Sequence, residues 1–172
     1  NLNYIHFTSN NTIVGTQMKD IPKTKIPLIC DMSSDIFSKK INFNQFSLIY
    51  AGAQKNLGPA GATLIAVRKS ALGKTSRLIP SMLDYRKHIN SESMFNTPPV
   101  FSVYTSLLTL RWIKKIGGLG VVEKQNDLKA KYIYEEIDRN SLFQGTADKE
   151  DRSNMNVCFL LNDDSLKNKF NS

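Results

Sequence analysis

A lysine that could act as a nucleophile lies within a run of small residues, Ala-Gly-Ala-Gln-Lys-Asn-Leu-Gly-Pro-Ala-Gly at positions 51–61. The flanking segments 46–50 and 62–67 are nearly continuous apolar stretches, which predict short buried strands with Lys55 on the turn between them. Apolar walls lower the pKa of an amine by desolvation, and a neutral amine condenses with carbonyl groups. The glycines of the run would let the backbone approach a flat ligand closely. Lys55 is therefore a candidate for Schiff-base chemistry, and a lysine on an ordinary hairpin turn is the alternative.

An aspartate stands where it could assist that lysine. The short apolar run 26–30 ends at Asp31, and ligands of open α/β sheets lie beyond the carboxyl ends of the strands. Pyridoxal phosphate requires a lysine for its aldehyde and an acidic partner that keeps its pyridine nitrogen protonated. Asp31 and Lys55 together predict such a site, whereas Asp31 alone would fit a turn or a helix N-cap.

Three separated motifs, in one order, resemble those of the phosphoserine aminotransferase family, and the resemblance covers essentially the whole chain. They are Asp-Met-Ser-Ser at 31–34, Ile-Tyr-Ala-Gly-Ala-Gln-Lys-Asn at 49–56 with Gly-Pro-Ala-Gly at 58–61, and Ser-Met-Phe-Asn-Thr-Pro-Pro at 93–99. A softer match, Asn-Asn-Thr-Ile-Val-Gly at 10–15, has Asn11 where the family usually has glutamate. Asn154 replaces the second arginine of a family Arg-Ser-Arg-Met-Asn-Val string.

The resemblance implies roles for residues of these motifs. Lys55 would hold the cofactor covalently, and its neighbour Gln54 would help to hold the cofactor phosphate. Asp31 would pair with the pyridine nitrogen, and Thr12 would contact the cofactor. The predicted catalytic residues are thus Lys55 and Asp31.

The resemblance also implies an activity and an assembly. Members of the family transfer an amino group reversibly from glutamate to 3-phosphohydroxypyruvate, giving 2-oxoglutarate and phosphoserine in serine biosynthesis, and a related reaction serves pyridoxine biosynthesis. The implied enzyme is a cytoplasmic homodimer in which Asn96 and Thr97 reach the phosphate of the partner subunit's cofactor.

The implied fold is α/β of fold type I, with a three-layer αβα large domain ending at residue 118 and a smaller α+β domain beginning at 119. Family members bind substrate through residues that have no counterpart in this sequence, and the chain has no initiator methionine. The sequence is therefore expected to be an internal fragment of a longer protein, incomplete as a fold and inactive alone.

The apolar pattern predicts the elements that position these residues. Apolar spacing indicates a helix over 100–116, ended by two glycines and with Trp112 partly buried, and a second helix over 119–138. Residues 35–46 are expected to form a short crossover that returns the chain to the same sheet. The other expected elements are strands at 4–7 and 155–161, a surface connection at 16–25, and a long loop at 74–99, in which Arg86 should be exposed and His88 should be a loop or interface residue.

Two rival functions remain, one suggested by the net charge and one by the family resemblance. A net charge of +8 suggests a nucleic-acid-binding module, but the basic residues are scattered singly or in pairs rather than in a stripe. A class V relative such as a cysteine desulfurase would share the aspartate and lysine but usually has histidine directly before the lysine, where Gln54 stands. The two cysteines lack metal-ligand spacing, so no metal site is expected, and Cys30 should pack as a small hydrophobe.

Overall fold

The structure, a computed structural model, describes residues 2–171 of the chain. Its strands are β1 (Ile5–Thr8), β2 (Asn10–Asn11), β3 (Thr16–Gln17), β4 (Leu28–Asp31), β5 (Leu48–Gly52), β6 (Thr63–Val67), β7 (Phe143–Gly145) and β8 (Phe159–Leu161). Its α-helices are α1 (Tyr85–Asn90), α2 (Val100–Lys115), α3 (Leu119–Arg139) and α4 (Lys167–Phe170). Within residues 2–171, no helix has both the length and the apolar character needed to cross a membrane.

A four-stranded sheet in the order β1-β4-β5-β6 organises the first half of the chain. Strands β1, β4 and β5 are parallel, and β6 runs antiparallel to β5. The predicted strands on either side of Lys55 are confirmed as β5 and β6. The predicted crossover is also confirmed, because β4 and β5 are parallel neighbours joined through turns and a 3-10 turn at Phe43–Gln45.

One face of this sheet carries the hydrophobic core. Successive side chains of a strand point to opposite faces, and alternate residues of β4 and β5 are accordingly buried. The core consists of Leu28, Cys30, Met32, Ile36, Phe46, Ile49 and Ala51. Cys30 is fully buried, as expected of a small hydrophobe, and burial raises the pKa of its thiol to about 12.

A glycine pair ends helix α2 as the sequence predicts. The backbone N–H of Gly118 donates to the carbonyl of Ile113 at 2.8 Å, and Gly118 has a φ of 82°, which suits glycine. Trp112, expected to be partly buried, has 54% of its surface exposed. Ile113, about 100° further round the helix, is buried instead, on the same side as Ser102 and Ser106.

Two other predicted segments differ in part from the expectation. Only Phe159–Leu161 of the expected strand at 155–161 is a strand. The expected surface connection at 16–25 begins with strand β3, in which Gln17 is buried. Thr16 forms an isolated β-bridge with Arg152, so the start of this stretch contacts a distant part of the chain, whereas Asp20 and residues 22–25 are exposed as expected.

The expected long loop at 74–99 contains a short helix, α1. The Asp84 side chain caps α1 by accepting a hydrogen bond from the backbone N–H of Arg86 at 3.0 Å. The Arg86 side chain is exposed, as expected, and its guanidinium pairs with the Asp84 carboxylate at 2.8 Å. The Nε2 atom of His88 forms a hydrogen bond with the carbonyl of Met82 at 3.0 Å, which gives His88 a structural contact in this segment.

The proposed boundary between two domains falls between α2 and α3 and stays a prediction. The first residue of one domain and the last residue of the other, positions 1 and 172, lie outside the described residues. Hydrogen bonds cross it. The side-chain amide of Asn126 donates to the carbonyl of Ser38 at 3.2 Å, and the Thr146 hydroxyl donates to the carbonyl of Val14 at 2.9 Å. The residues beyond α2 therefore pack directly on the loops of the sheet.

Candidate active site

Three predicted site residues follow three neighbouring parallel strands. Thr12 lies in the turn of the β2–β3 hairpin that follows β1, Asp31 is the last residue of β4, and Lys55 lies on the loop after β5. Strand β4 is between β1 and β5, and parallel strands end at the same edge of a sheet. The fold therefore brings all three loops to one edge, with Asp31 in the middle, where ligands of α/β sheets bind.

Backbone hydrogen bonds join these three loops. The N–H of Ser9, just after β1, donates to the carbonyl of Asp31 at 3.0 Å. The N–H of Met32 donates to the carbonyl of Tyr50 at 2.8 Å, and the N–H of Gly52 donates to the Ser33 hydroxyl at 3.0 Å. The edge is thus fixed as one unit.

Asp31 has the turn contact that its sequence position allowed, and its pairing with a cofactor stays a prediction. Its Oδ1 accepts a hydrogen bond from the backbone N–H of Ser33 at 2.9 Å, which holds the turn after β4. Its carboxyl group is only half-buried and lies beside Tyr50, its register partner on β5. Burial and the Asp31 carboxylate raise the pKa of Tyr50, whose hydroxyl shares a 3.0 Å hydrogen bond with His6. Asp31 therefore presents negative charge at the strand edge from a fixed turn.

Lys55 is on the turn between β5 and β6, as predicted, but its side chain is exposed. The apolar walls expected around Lys55 therefore do not enclose its side chain. The physical reason is the direction of the flanking side chains, because the buried residues of β5, Ile49 and Ala51, point into the core beneath the sheet. The amine is instead free to meet a ligand at the edge.

The backbone around Lys55 is held firmly. The N–H of Ala53 donates to the carbonyl of Ala62 at 2.9 Å, which closes the base of the loop. The Asn56 side chain donates to the carbonyl of Ile36 at 3.1 Å, and the adjacent Leu57 is buried. A fixed backbone holds the exposed amine in a defined place, as a reaction with a bound ligand requires.

Helix α2 supports this loop through its buried serines. The Ser102 hydroxyl donates to the carbonyl of Ala60 at 2.6 Å. A Cβ at Gly61 would lie 2.9 Å from the Ser102 hydroxyl, and one at Gly58 would lie 2.9 Å from that of Ser106. Gly61 also has a φ of 116°, which side chains rarely adopt. These two glycines are therefore explained by close packing of the lysine loop on α2.

Gln54, Asn96 and Thr97 are all exposed. The side chain of Gln54 folds back over the end of β5, where a Cβ at Gly52 would lie 2.9 Å from its Nε2 atom. The Asn96 side chain donates to the carbonyl of Thr97 at 3.1 Å, within the segment that leads into α2. The structure thus joins Gln54 to the strand edge, and Asn96 and Thr97 are available to another molecule.

Thr12 lies in the turn of the β2–β3 hairpin and is exposed. Asn11, which departs from the family pattern, holds this turn, because its Oδ1 accepts from the backbone N–H of Ile13 at 2.9 Å. The asparagine therefore supplies an acceptor oxygen without the negative charge of glutamate. This region thus offers an amine, a carboxylate, an amide and a hydroxyl. Together these groups fit pyridoxal phosphate.

Sequence reasoning missed a buried polar cluster beneath the edge. Asp35 is 6% exposed, and its carboxylate accepts hydrogen bonds from the Ser9 hydroxyl and from Gln17 Nε2, the latter at 3.2 Å. Burial raises the pKa of Asp35, although both hydrogen bonds oppose that shift. In the sequence, Asp35 is one polar residue of a turn-like run, and nothing in that run distinguishes a buried carboxylate from a solvated one.

Comparisons with known proteins show the family to which the chain belongs. A model of the aminotransferase class V family matches residues 1–167. The phosphoserine aminotransferase of Flavobacterium psychrophilum is 66% identical over 160 residues, which are 93% of this chain and 45% of the relative. The chain thus spans less than half the length of that relative.

Solved structures match as well. Phosphoserine aminotransferase from Bacillus circulans subsp. alkalophilus superposes with a TM-score of 0.92 at 44% identity, over 97% of this chain and 47% of the other. A PLP-bound phosphoserine aminotransferase from Trichomonas vaginalis gives a TM-score of 0.91 at 35% identity, over 97% of this chain and 48% of the other. The predicted fold class, α/β of fold type I, is confirmed. The chain belongs to the aminotransferase class V family.

Proposed function

We propose that the protein to which this chain belongs is a phosphoserine aminotransferase that uses pyridoxal phosphate. It would transfer the amino group of glutamate to 3-phosphohydroxypyruvate and release 2-oxoglutarate and phosphoserine, with the related phosphorylated hydroxythreonine reaction of pyridoxine synthesis as a second use. The observation that carries this proposal is the placement of Thr12, Asp31 and Lys55 after three adjacent parallel strands. The names and identities of the relatives support the choice of substrates.

The chain's own residues would divide the work. Bound pyridoxal phosphate supplies an aldehyde and an electron-accepting ring. The Lys55 amine holds the aldehyde and, once released, carries the proton to and from the substrate α-carbon. The Asp31 carboxylate holds the proton on the ring nitrogen, and Thr12 and Gln54 orient the ring and its phosphate. The net charge of +8 favours the approach of anionic substrates.

Covalent labelling tests this assignment directly. The full-length protein is incubated with pyridoxal phosphate and reduced with borohydride, and the modified peptide is identified by mass spectrometry. We expect the label on Lys55, and phosphoserine to form only when glutamate and 3-phosphohydroxypyruvate are both present. Label confined to another lysine such as Lys69, or no label, would contradict the proposal.

The assembly is proposed to be a cytoplasmic homodimer with shared sites. The exposure of Asn96 and Thr97, and the exposed apolar side chains of the neighbouring helix α2, such as Phe101 and Leu107, support a contact with a second subunit. The proposed division into domains at residues 118 and 119 places both residues in the large domain, on the segment that leads into α2.

Mixed dimers test the sharing of sites. Subunits with Lys55→Ala and subunits with Asn96→Ala and Thr97→Ala are each expected to have little activity. In a mixed dimer, one site combines an intact Lys55 with an intact pair from the partner, so activity should return after the subunits are mixed, denatured and refolded. Lack of recovery in confirmed mixed dimers would place Asn96 and Thr97 in their own subunit's site or outside it.

A further inference from the structure

The segment 152–158 lies against the loop that carries Thr12, although the two are separated by most of the chain. The backbone N–H of Ser153 donates to the carbonyl of Gly15 at 2.8 Å, and Ser153 is fully buried. Its hydroxyl accepts from the backbone N–H groups of Met155 and Asn156 at 3.0 and 3.1 Å, which fixes a tight turn. This turn places the Asn156 side chain beside the β2–β3 hairpin.

We propose that Asn156 is a positioning residue for the cofactor and acts by holding the backbone of Thr12. The inference rests on the proposed function, because it takes Thr12 to be a cofactor contact. The side-chain amide of Asn156 donates to the carbonyl of Thr12 at 3.3 Å and approaches the carbonyl of Asn11 at 3.5 Å. A carbonyl held in this way fixes the orientation of the Thr12 residue and so the place of its hydroxyl.

Asn10 connects this contact to the turn after Asp31. Its side-chain amide donates to Asn156 Oδ1 at 2.7 Å and to the Ser34 hydroxyl at 3.1 Å, and its Oδ1 accepts from the Ser153 hydroxyl. The Ser34 hydroxyl in turn donates to the carbonyl of Asn10 at 2.7 Å. Asn10 is 2% exposed, so water does not compete strongly for these bonds. The network therefore ties the Thr12 loop, the Asp31 turn and the segment 152–158 together.

The oxygen and the nitrogen of the Asn156 amide make different hydrogen bonds. The oxygen accepts from Asn10, and the nitrogen donates to the Thr12 carbonyl. Asn156→Asp keeps the oxygen acceptor and removes the donor, whereas Asn156→Ala removes both without adding charge. A hydrogen bond of about 1.4 kcal/mol corresponds to about tenfold in affinity. Both variants should therefore weaken cofactor binding by roughly five- to tenfold.

A double-mutant cycle on the full-length protein tests the mechanism. The dissociation constant of pyridoxal phosphate is measured for the apo forms of the wild type, Asn156→Ala, Thr12→Ala and the double variant, from the quenching of protein fluorescence. If Asn156 acts through Thr12, the double variant should bind about as weakly as Thr12→Ala alone. Effects that multiply would overturn the inference, because Asn156 would then act independently of Thr12.

Controls separate positioning from general damage. Asn162→Ala is the matched control, since its side chain donates to the carbonyls of Ser141 and Phe143 and not to the hairpin, and it should leave cofactor affinity unchanged. Melting temperatures of the apo forms check folding, and Asn156→Asp serves if Asn156→Ala does not fold. Unchanged affinity in both Asn156 variants would overturn the inference.

Failure of the inference can be told from failure of the proposed function. If Thr12→Ala binds the cofactor normally while borohydride still labels Lys55, the function stands and the positioning role of Asn156 is wrong. If the wild type neither binds pyridoxal phosphate nor is labelled, the proposed function and the inference fall together.

Discussion

Lys55→Ala is expected to abolish turnover of the full-length enzyme while some cofactor remains bound through its phosphate. In the proposed function the amine holds the cofactor aldehyde and moves the substrate proton, so its removal would eliminate both tasks. Loss of a nucleophile that is also the acid–base group should lower the rate constant by at least about a thousandfold. The measurement is steady-state phosphoserine formation, with bound cofactor determined by absorbance.

Two further variants show whether the amine itself is required. Lys55→Arg keeps a positive charge on the exposed loop, but a guanidinium stays protonated and does not condense with an aldehyde, so this variant should also be inactive. Lys69→Ala removes another exposed lysine, just after β6, and should retain full activity. Turnover in Lys55→Ala at the wild-type rate would remove the basis of the assignment.

Asp31→Ala is expected to lower the rate constant by several orders of magnitude without unfolding the protein. The electron-accepting capacity of the cofactor ring depends on a protonated nitrogen, and an opposite charge next to that nitrogen moves its pKa upward by about 1–3 units. A rate loss below about tenfold, or roughly 1.4 kcal/mol, would count against this role. The measurement pairs the rate constant with thermal unfolding.

The comparison with Asp31→Asn separates charge from turn structure. Asparagine keeps an oxygen that can accept from the backbone N–H of Ser33, so the turn after β4 should remain intact. It supplies no negative charge, and its rate should therefore fall about as far as that of the alanine variant. A nearly normal rate in Asp31→Asn would mean that Asp31 matters for the turn alone.

The strands and the order of the site residues were predictable because both depend on local sequence. Apolar runs bounded by glycine and proline predict β5 and β6, and Lys55 lies between them as expected. The parallel return from Asp31 follows from the length of the crossover and from the rule that such connections rejoin the same sheet. The resemblance of the motifs supplied the predicted roles of the site residues. The match to the aminotransferase class V family confirms the family resemblance, and the roles themselves stay predictions.

The exposure of Lys55 and of Trp112 was not predictable from composition, because it depends on which way each side chain points. The buried residues of β5, Ile49 and Ala51, face the core below the sheet, and α2 buries Ser102 and Ser106 rather than its tryptophan. Small residues are buried there because the lysine loop approaches the helix closely at Gly58 and Gly61. Hydrophobicity alone does not report such close approach.

The cluster around Asn10 and Asp35 was missed for another reason. Its members are ordinary polar residues whose partners lie far away in the chain, so no local pattern marks them. The hydrogen bond between Asn10 and Asn156 joins residues 146 positions apart. A sequence pattern detects periodicity within an element, and a buried network of this kind has none.

The distance along the chain between Asn10 and Ser153 has a consequence for biosynthesis. Their hydrogen bond spans 143 positions, whereas that between His6 and Tyr50 on the sheet spans 44. Ribosomes add about 5–20 residues per second, so the Thr12 hairpin emerges roughly 7–30 s before Ser153 is made. Contacts between distant residues also form slowly. The sheet can therefore assemble before Ser153 is synthesised, whereas the hairpin that carries Thr12 is locked only after Ser153 has been made.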